Sequence, residues 1–357
     1  MFIIGLGTAA PPQSYKQSEC WEALQVAPQF GLLDTRSRAI LRKVLTGDNG
    51  IETRRLALGS LHEVFEIGPD VLHQRFAKNA PLLATRAAER ALQDAGLQPN
   101  EIDALIVSTC TGYLCPGLTS KVSEHLGLRR ETLLLDLVGQ GCGAALPNLR
   151  TGEALLASGR CKKVLSVCVE VCSAAFYIDN DPGVLISACL FGDGAGAAVL
   201  SNEPNSARRP IKWRTARSIT WPEHRDLLRF DQKGGMLRNI LRPEVPALAA
   251  ECSEKLLNET LIETGVAREQ ITGWIWHSGG RDVLQALREK LRLNAEDARW
   301  SATILREFGN ISSPCVYFVL QMALAENAPG SLWWMASFGA GFSCHGALLE
   351  VGESGTA

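Results

Sequence analysis

The feature that most restricts the fold of this chain is a repeat in the spacing of its turns. Two helical patterns stop at Gly96 and Gly265, 169 positions apart (265 − 96). The strand-like runs after them end at Ser108 and His277, again 169 apart (277 − 108). Two later turns, at Cys142 and Asn310, hold the offset at 168 (310 − 142). Unrelated segments would not keep such a spacing over more than forty residues, so it marks an internal duplication. The expected division is 1–202 and 203–357, with Ile211 to Trp221 read as hairpin strands joining the two halves.

Each half alternates strands with helices. Ala84, Ala87, Ala88, Ala91, Leu92 and Ala95 recur at helical spacing and form a face of small residues. Ile102 to Thr109 is apolar enough to be a strand buried on both faces. Leu133 to Leu137 and Val164 to Val169 read as strands of the same half. Val245 to Thr264 (helix), Ile271 to Trp276 (strand), Asp282 to Leu291 (helix) and Ser331 to Ala336 (strand) repeat the order. The pattern predicts an α/β protein with mainly parallel sheets. Two such units back to back give a five-layered αβαβα body, with the ligand site at the C-terminal ends of the strands.

Composition narrows the function classes. A chain of 357 residues suits two fused units. Its net charge of −2 offers no electrostatic footprint for nucleic acid. Eleven cysteines without paired CxxC motifs argue against zinc or a disulfide scaffold, and reduced thiols suit the cytoplasm. Met1 to Thr8 reads as a strand and not a signal peptide. No apolar run approaches the roughly 20 residues of a membrane span.

Three residues at these turns make a coherent chemistry. Cys142 lies between glycines, after a strand and before a helix, where free N–H groups and the helix dipole favour a thiolate. His277, in His277-Ser278-Gly279-Gly280, can hold a proton as imidazolium beside it. Asn310 offers an amide donor that never titrates, suited with His277 to an enolate oxygen. Singly, each has a plainer reading as buried packing, a core histidine or an N-cap. Their joint placement at duplicated turns outweighs those readings.

On these residues the chain resembles the type III polyketide synthases, the chalcone- and stilbene-synthase-like branch of the thiolase superfamily, over nearly its whole length. The matching segments are Gly50 to Arg55, Ser108 to Gly117, Gly139 to Ala144, Leu190 to Ala195, His277 to Gly280, Phe308 to Ser313 and Phe338 to Gly341. The resemblance implies a thiolase-like fold, a homodimer, and Cys142, His277 and Asn310 as catalytic triad. It implies acyl-CoA and malonyl-CoA as substrates, iterative condensation and cyclisation, and no cofactor, carrier protein or metal. Phe191 is then the gatekeeper aromatic, and Arg54-Arg55 part of a CoA phosphate site. Thr111, Ser312, Gly339 and Gly341 fall among the family's substrate-binding segments.

Departures from the family bear on substrate. Cavity positions that are threonines in plant members are Cys110, Cys172 and Ala175 here, a less polar set. Arg238 or Leu237 stands near the second gatekeeper position, and Cys115 at the position that reaches the partner's cavity. These features suggest a bacterial-type enzyme with an aliphatic starter and an alkylpyrone or alkylresorcinol product. A wider mouth also admits aromatic starters, and a short-chain product is the other outcome of reduced polarity. Ketoacyl-carrier-protein synthase III shares the Cys, His and Asn, but its His and Asn usually sit in HQAN and NTSA contexts. A non-catalytic acyl-CoA-binding homologue is the alternative from another class.

Overall fold

A computed structural model describes residues 1–353. In chain order its strands are β1 (Phe2–Ala9), β2 (Ser14–Lys16), β3 (Thr53–Arg55), β4 (Ala104–Thr109), β5 (Leu133–Val138), β6 (Lys163–Glu170) and β7 (Gly194–Ser201). They continue as β8 (Ile211–Thr220), β9 (Leu228–Lys233), β10 (Met236–Leu241), β11 (Ile271–Trp276), β12 (Ser331–Gly339) and β13 (Ser343–Val351). Nine of them hydrogen-bond in the order β11-β12-β13-β8-β1-β7-β6-β4-β5. The junction between β1 and β8 is narrow, with only Phe2 opposite Lys212 and Ile3 opposite Ile211.

Reading outward from that junction, each side runs through the first strand of its set, then the last, then inward members of the set. The second set lacks a counterpart of β5. Where that strand would lie, the chain forms the helix Arg299–Phe308 and then turns at Gly309-Asn310. The sheet is also mixed, contrary to the expectation of mainly parallel pairing. Only β4–β5, β4–β6 and β11–β12 are parallel. A connection as short as Ala340–Phe342 between β12 and β13 can only reverse the chain. Ile211 to Trp221 is likewise not a hairpin. It supplies β8, one long strand at the centre of the sheet, and the hairpin is β9–β10.

Two apolar layers flank the first set. Leu105 and Val107 of β4 pack with the helix Pro69–Ala95, while Ala104 and Ile106 face the opposite core, as a strand with period two requires. The helix's alanine face is needed for its approach to β1. A Cβ on Gly7 would lie 2.2 Å from the Ala87 carbonyl oxygen, and one on Gly5 2.4 Å from that of Ala91. The helices Ala145–Ala157 and Cys315–Ala325 lie in the shared core, packed between residues of both strand sets. Cys315–Ala325 is almost wholly apolar and is buried from Cys315 to Leu320, as a helix enclosed between two sheets must be. The helix Val245–Thr264 covers β8 and β13 on the far side. The succession of helix, sheet, helix pair, sheet and helix is the five-layered α/β arrangement. The two central helices begin at the Cys142 and Asn310 turns, so both turns open onto the same interior.

Candidate active site

Beyond β5 the backbone turns sharply through Gly139 (φ 84°) and Gly141 (φ 55°), conformations suited to glycine. Gly141–Gly143 forms a single helical turn that leads into Ala145–Ala157, with Pro147 in the first turn, where its missing N–H is harmless. Cys142 therefore stands at the mouth of a buried helix. The β12–β13 turn holds it from behind. A Cβ on Gly339 would lie 2.4 Å from the Gln140 carbonyl oxygen and 2.7 Å from the Gly143 nitrogen, and the Ser337 hydroxyl donates to the Gly143 carbonyl at 3.0 Å.

A chain of contacts links the three turns. Ser312, held at φ 58°, donates its hydroxyl to the Cys142 sulfur at 3.1 Å. The Ser312 N–H donates to Asn310 Oδ1 at 2.9 Å, and Asn310 Nδ2 donates to the Gly279 carbonyl at 3.0 Å. Gly279 follows His277 by two residues, and its N–H donates to the His277 carbonyl. Cys142, His277 and Asn310 all line one cavity of about 690 Å³, together with Phe191 and Phe338. Asn310 keeps one amide hydrogen free of the Gly279 contact, and Ser312 joins its loop to the thiol.

Burial sets the electrostatics. It pushes the Cys142 thiol up to about 12, against the opposing pull of the Ser312 hydroxyl, and the nearby Glu170 raises it further. Burial brings His277 down to about 4. Burial of both side chains disfavours their charged forms and so works against the thiolate–imidazolium pair expected from the helix start. Each charge would be desolvated, and His277 Nδ1 has no hydrogen-bond partner among the described residues to hold an imidazolium.

Phe191 lies in the wall between the large cavity and a smaller pocket of about 30 Å³. Its backbone bridges to Asn310: the Asn310 N–H donates to Leu190 and the Gly192 N–H to Asn310. Cys172 and Ala175 line the smaller pocket. Arg54 and Arg55 take positions away from the expected phosphate site. Arg54 is buried and donates to the Ala188 and Phe191 carbonyls at 2.8 and 3.2 Å, and Arg55 donates to the Pro12 carbonyl and lies over the Phe308 ring. The cations that stand at the large cavity are Arg36, Lys43, Arg242 and Arg281.

Arg238 points away from both cavities, since its guanidinium is paired with Asp179 at 2.8 Å and Asp181 at 3.4 Å. Asn239 and Phe230 face the smaller pocket instead of residues 237 and 238. A one-residue shift in a strand exchanges its faces, which is why the sequence reading missed them. Thr111 lines neither cavity, because its hydroxyl is committed to Glu170 at 2.9 Å. Gly339 and Gly341 shape the turn behind Cys142 and do not line the cavity. Glu170 also escaped notice. It ends β6 fully buried and accepts from Ser313 at 2.7 Å and from Cys110 N–H at 3.0 Å, yet burial raises its carboxyl. A lone carboxylate closing the run Val164 to Val169 was the available signal.

A thiol at a helix mouth, an imidazole and an amide in one cavity of an αβαβα body define a thiolase-fold condensing enzyme. Comparison with known families agrees. Residues 10–220 match the FAE1/type III polyketide synthase-like family, and residues 228–350 match the chalcone and stilbene synthase C-terminal domain. The chain belongs to the type III polyketide synthase-like family. A 3,5-dihydroxyphenylacetyl-CoA synthase from Streptomyces toyocaensis is 30% identical over 98% of this chain and 89% of its own. The enzyme of that name from Amycolatopsis orientalis is 29% identical over 97% and 92%. Among solved structures, the polyketide synthase PKS-I of the brown alga Ectocarpus siliculosus has a TM-score of 0.88 at 25% identity, covering 98% of this chain and 97% of that one. The 1,3,6,8-tetrahydroxynaphthalene synthase of Streptomyces coelicolor A3(2) has a TM-score of 0.87 at 23% identity, covering 99% and 100%, and supports the fold. No helix among the described residues is long and apolar enough to cross a membrane.

Proposed function

We propose that this protein is an iterative type III polyketide synthase that loads an acyl group from CoA onto Cys142 and extends it with malonyl-CoA. The link Cys142–Ser312–Asn310–Gly279, which ties nucleophile and amide donor into one unit at a shared cavity, carries the reading. His277 takes the Cys142 proton as sulfur attacks the thioester carbonyl, and returns it to the departing CoA thiolate. Malonyl-CoA then loses carbon dioxide, and its enolate oxygen accepts from His277 and from the free Asn310 amide hydrogen. The enolate carbon attacks the acyl thioester and expels Cys142 as a thiolate, which takes up a proton from water before the next loading. Arg36, Lys43, Arg242 and Arg281 are the groups for the CoA phosphates.

For the starter, the apolar lining of the large cavity, with Ile40, Ile186, Leu228 and Val245, supports an aliphatic acyl group and an alkylpyrone or alkylresorcinol product. A second reading is favoured by the pocket behind Phe191, whose roughly 30 Å³ holds little more than a water or two. It is a short chain built from malonyl units, in keeping with the relatives named for dihydroxyphenylacetyl-CoA synthesis. Two copies pair as a homodimer along β5, where Leu133, Leu134 and Val138 are exposed at 42, 37 and 56%.

Incubation with malonyl-CoA alone and with starter CoAs from acetyl to palmitoyl, followed by mass spectrometry, tests this function. Multiply extended products are expected from wild type and none from Cys142→Ala. In His277→Ala and Asn310→Ala, malonyl-CoA decarboxylation is expected to fall by about a hundredfold or more. Normal decarboxylation in both variants would remove them from the chemistry. Products of a single condensation, made faster from carrier-protein thioesters, would indicate a ketoacyl-carrier-protein synthase instead.

A further inference from the structure

Two walls of the large cavity come from different parts of the chain. The helix Pro182–Leu190 supplies Pro182, Ile186 and Leu190, and the hairpin β9–β10 supplies Leu228 and Leu241. The walls meet at one point. A Cβ on Gly183 would collide with the Leu241 carbonyl oxygen, so helix and strand are in backbone contact there.

An ion cluster that the mechanism does not use ties the same two walls together. Arg238 precedes Leu241 by three residues in β10, so its side chain leaves the opposite face of the strand. Its Nε lies 2.8 Å from Asp179, and its terminal nitrogens lie 3.4 Å from Asp181 and 4.0 Å from Asp231. Asp231 is its cross-strand neighbour within the hairpin. Asp179 and Asp181 belong instead to the segment that leads into the helix. Asp181 caps that helix, accepting from the Gly183 and Val184 N–H groups, and also pairs with Arg242 at 3.4 Å. The Arg238 side chain is 15% exposed, and those of Asp179 and Asp181 23 and 17%, so these pairs are screened less than exposed ones. One guanidinium thus joins both strands of the hairpin to the cap of the facing helix. The far end of the helix is fixed separately, by the Asn310 N–H on the Leu190 carbonyl and the Gly192 N–H on the Asn310 carbonyl.

We propose that Arg238 is a positioning residue that acts through Asp179 and Asp181. It holds the hairpin against the helix Pro182–Leu190 and so limits the size of the acyl group that fits between them. This inference rests on the polyketide synthase reading and says what sets its range of starters.

The test uses the full chain and measures single-turnover loading of Cys142 from acetyl-, hexanoyl- and palmitoyl-CoA. It compares wild type with Arg238→Met, Asp179→Asn, the double variant and Arg238→Lys. Malonyl-CoA decarboxylation, which depends on the separately held Asn310 end, is the internal reference. In both single variants the palmitoyl-to-acetyl ratio of loading rates is expected to rise about tenfold, the discrimination that a close apolar fit supplies, while decarboxylation holds. The double variant is expected to match Arg238→Met, since both break the same pair. Arg238→Lys, which keeps a cation, is expected to recover part of the wild-type ratio. A ratio that stays level or falls in Arg238→Met and Asp179→Asn would overturn the proposal. So would single-variant effects that multiply in the double variant, or an equal loss of decarboxylation and of loading from every starter, which would mark a structural role alone. Wild-type protein whose Cys142 is acylated by no acyl-CoA, malonyl-CoA included, would instead sink the polyketide synthase reading.

Discussion

At the scale of single residues, the burial of Cys142 bears on when its thiol can react. Its ordinary value of 9.0 is raised to about 12, so the thiolate fraction rises tenfold with each pH unit throughout the neutral range. A standing ion pair would behave differently, with reactivity level between the titrations of histidine and cysteine. Inactivation by iodoacetamide between about pH 6 and pH 9 is therefore expected to accelerate about tenfold per unit, with no plateau. Ser312 offers the only hydroxyl on the sulfur among the described residues. Removing it in Ser312→Ala raises the thiol further, and acyl loading in rapid-quench experiments should slow by about ten- to a hundredfold. Loading at the wild-type rate would show that the contact does not stabilise the thiolate.

At the scale of elements, the turn between β12 and β13 acts as the back wall of the nucleophile. A methyl at position 339 would meet backbone at 2.4 and 2.7 Å, which no side-chain rotation relieves. Gly339→Ala must shift the Cys142 turn, and is expected to lower kcat at least tenfold while costing about 1–3 kcal/mol of stability. Thermal melts alongside steady-state turnover separate the two effects, and unchanged kcat would show the turn to be slack. The elements around Cys142, His277 and Asn310 were legible in the sequence because each is a strand or helix end punctuated by glycine. The hairpin face was not, since Arg238 and Asn239 are neighbours and only register decides which faces the pocket. Glu170 was hidden by its apolar strand, and the helix Arg299–Phe308 occupies a place where duplication implied a strand. The resemblance placed Arg54 and Arg55 at a CoA phosphate site, but β2–β3 pairing and the carbonyls of Ala188, Phe191 and Pro12 hold their guanidiniums elsewhere.

At the scale of the whole molecule, the proposed homodimer depends on the apolar edge of β5. A charge placed there meets its own copy across a two-fold axis, so Val138→Glu is expected to yield a monomer of 38.7 kDa by light scattering. A dimer that survives both this change and Leu134→Glu would place the contact elsewhere.

The absent counterpart of β5 has a consequence for assembly. Had the duplication been complete, the sheet would end in two similar open edges, and each copy could recruit a neighbour at both ends. Instead the turn Glu296–Ala298 and the helix Arg299–Phe308 pack against β11. One margin is capped, and the other, β5, exposes Leu133, Leu134 and Val138. On the proposed homodimer, a body with a single adhesive margin would join one partner and stop there, so the irregular repeat would hold assembly at a pair.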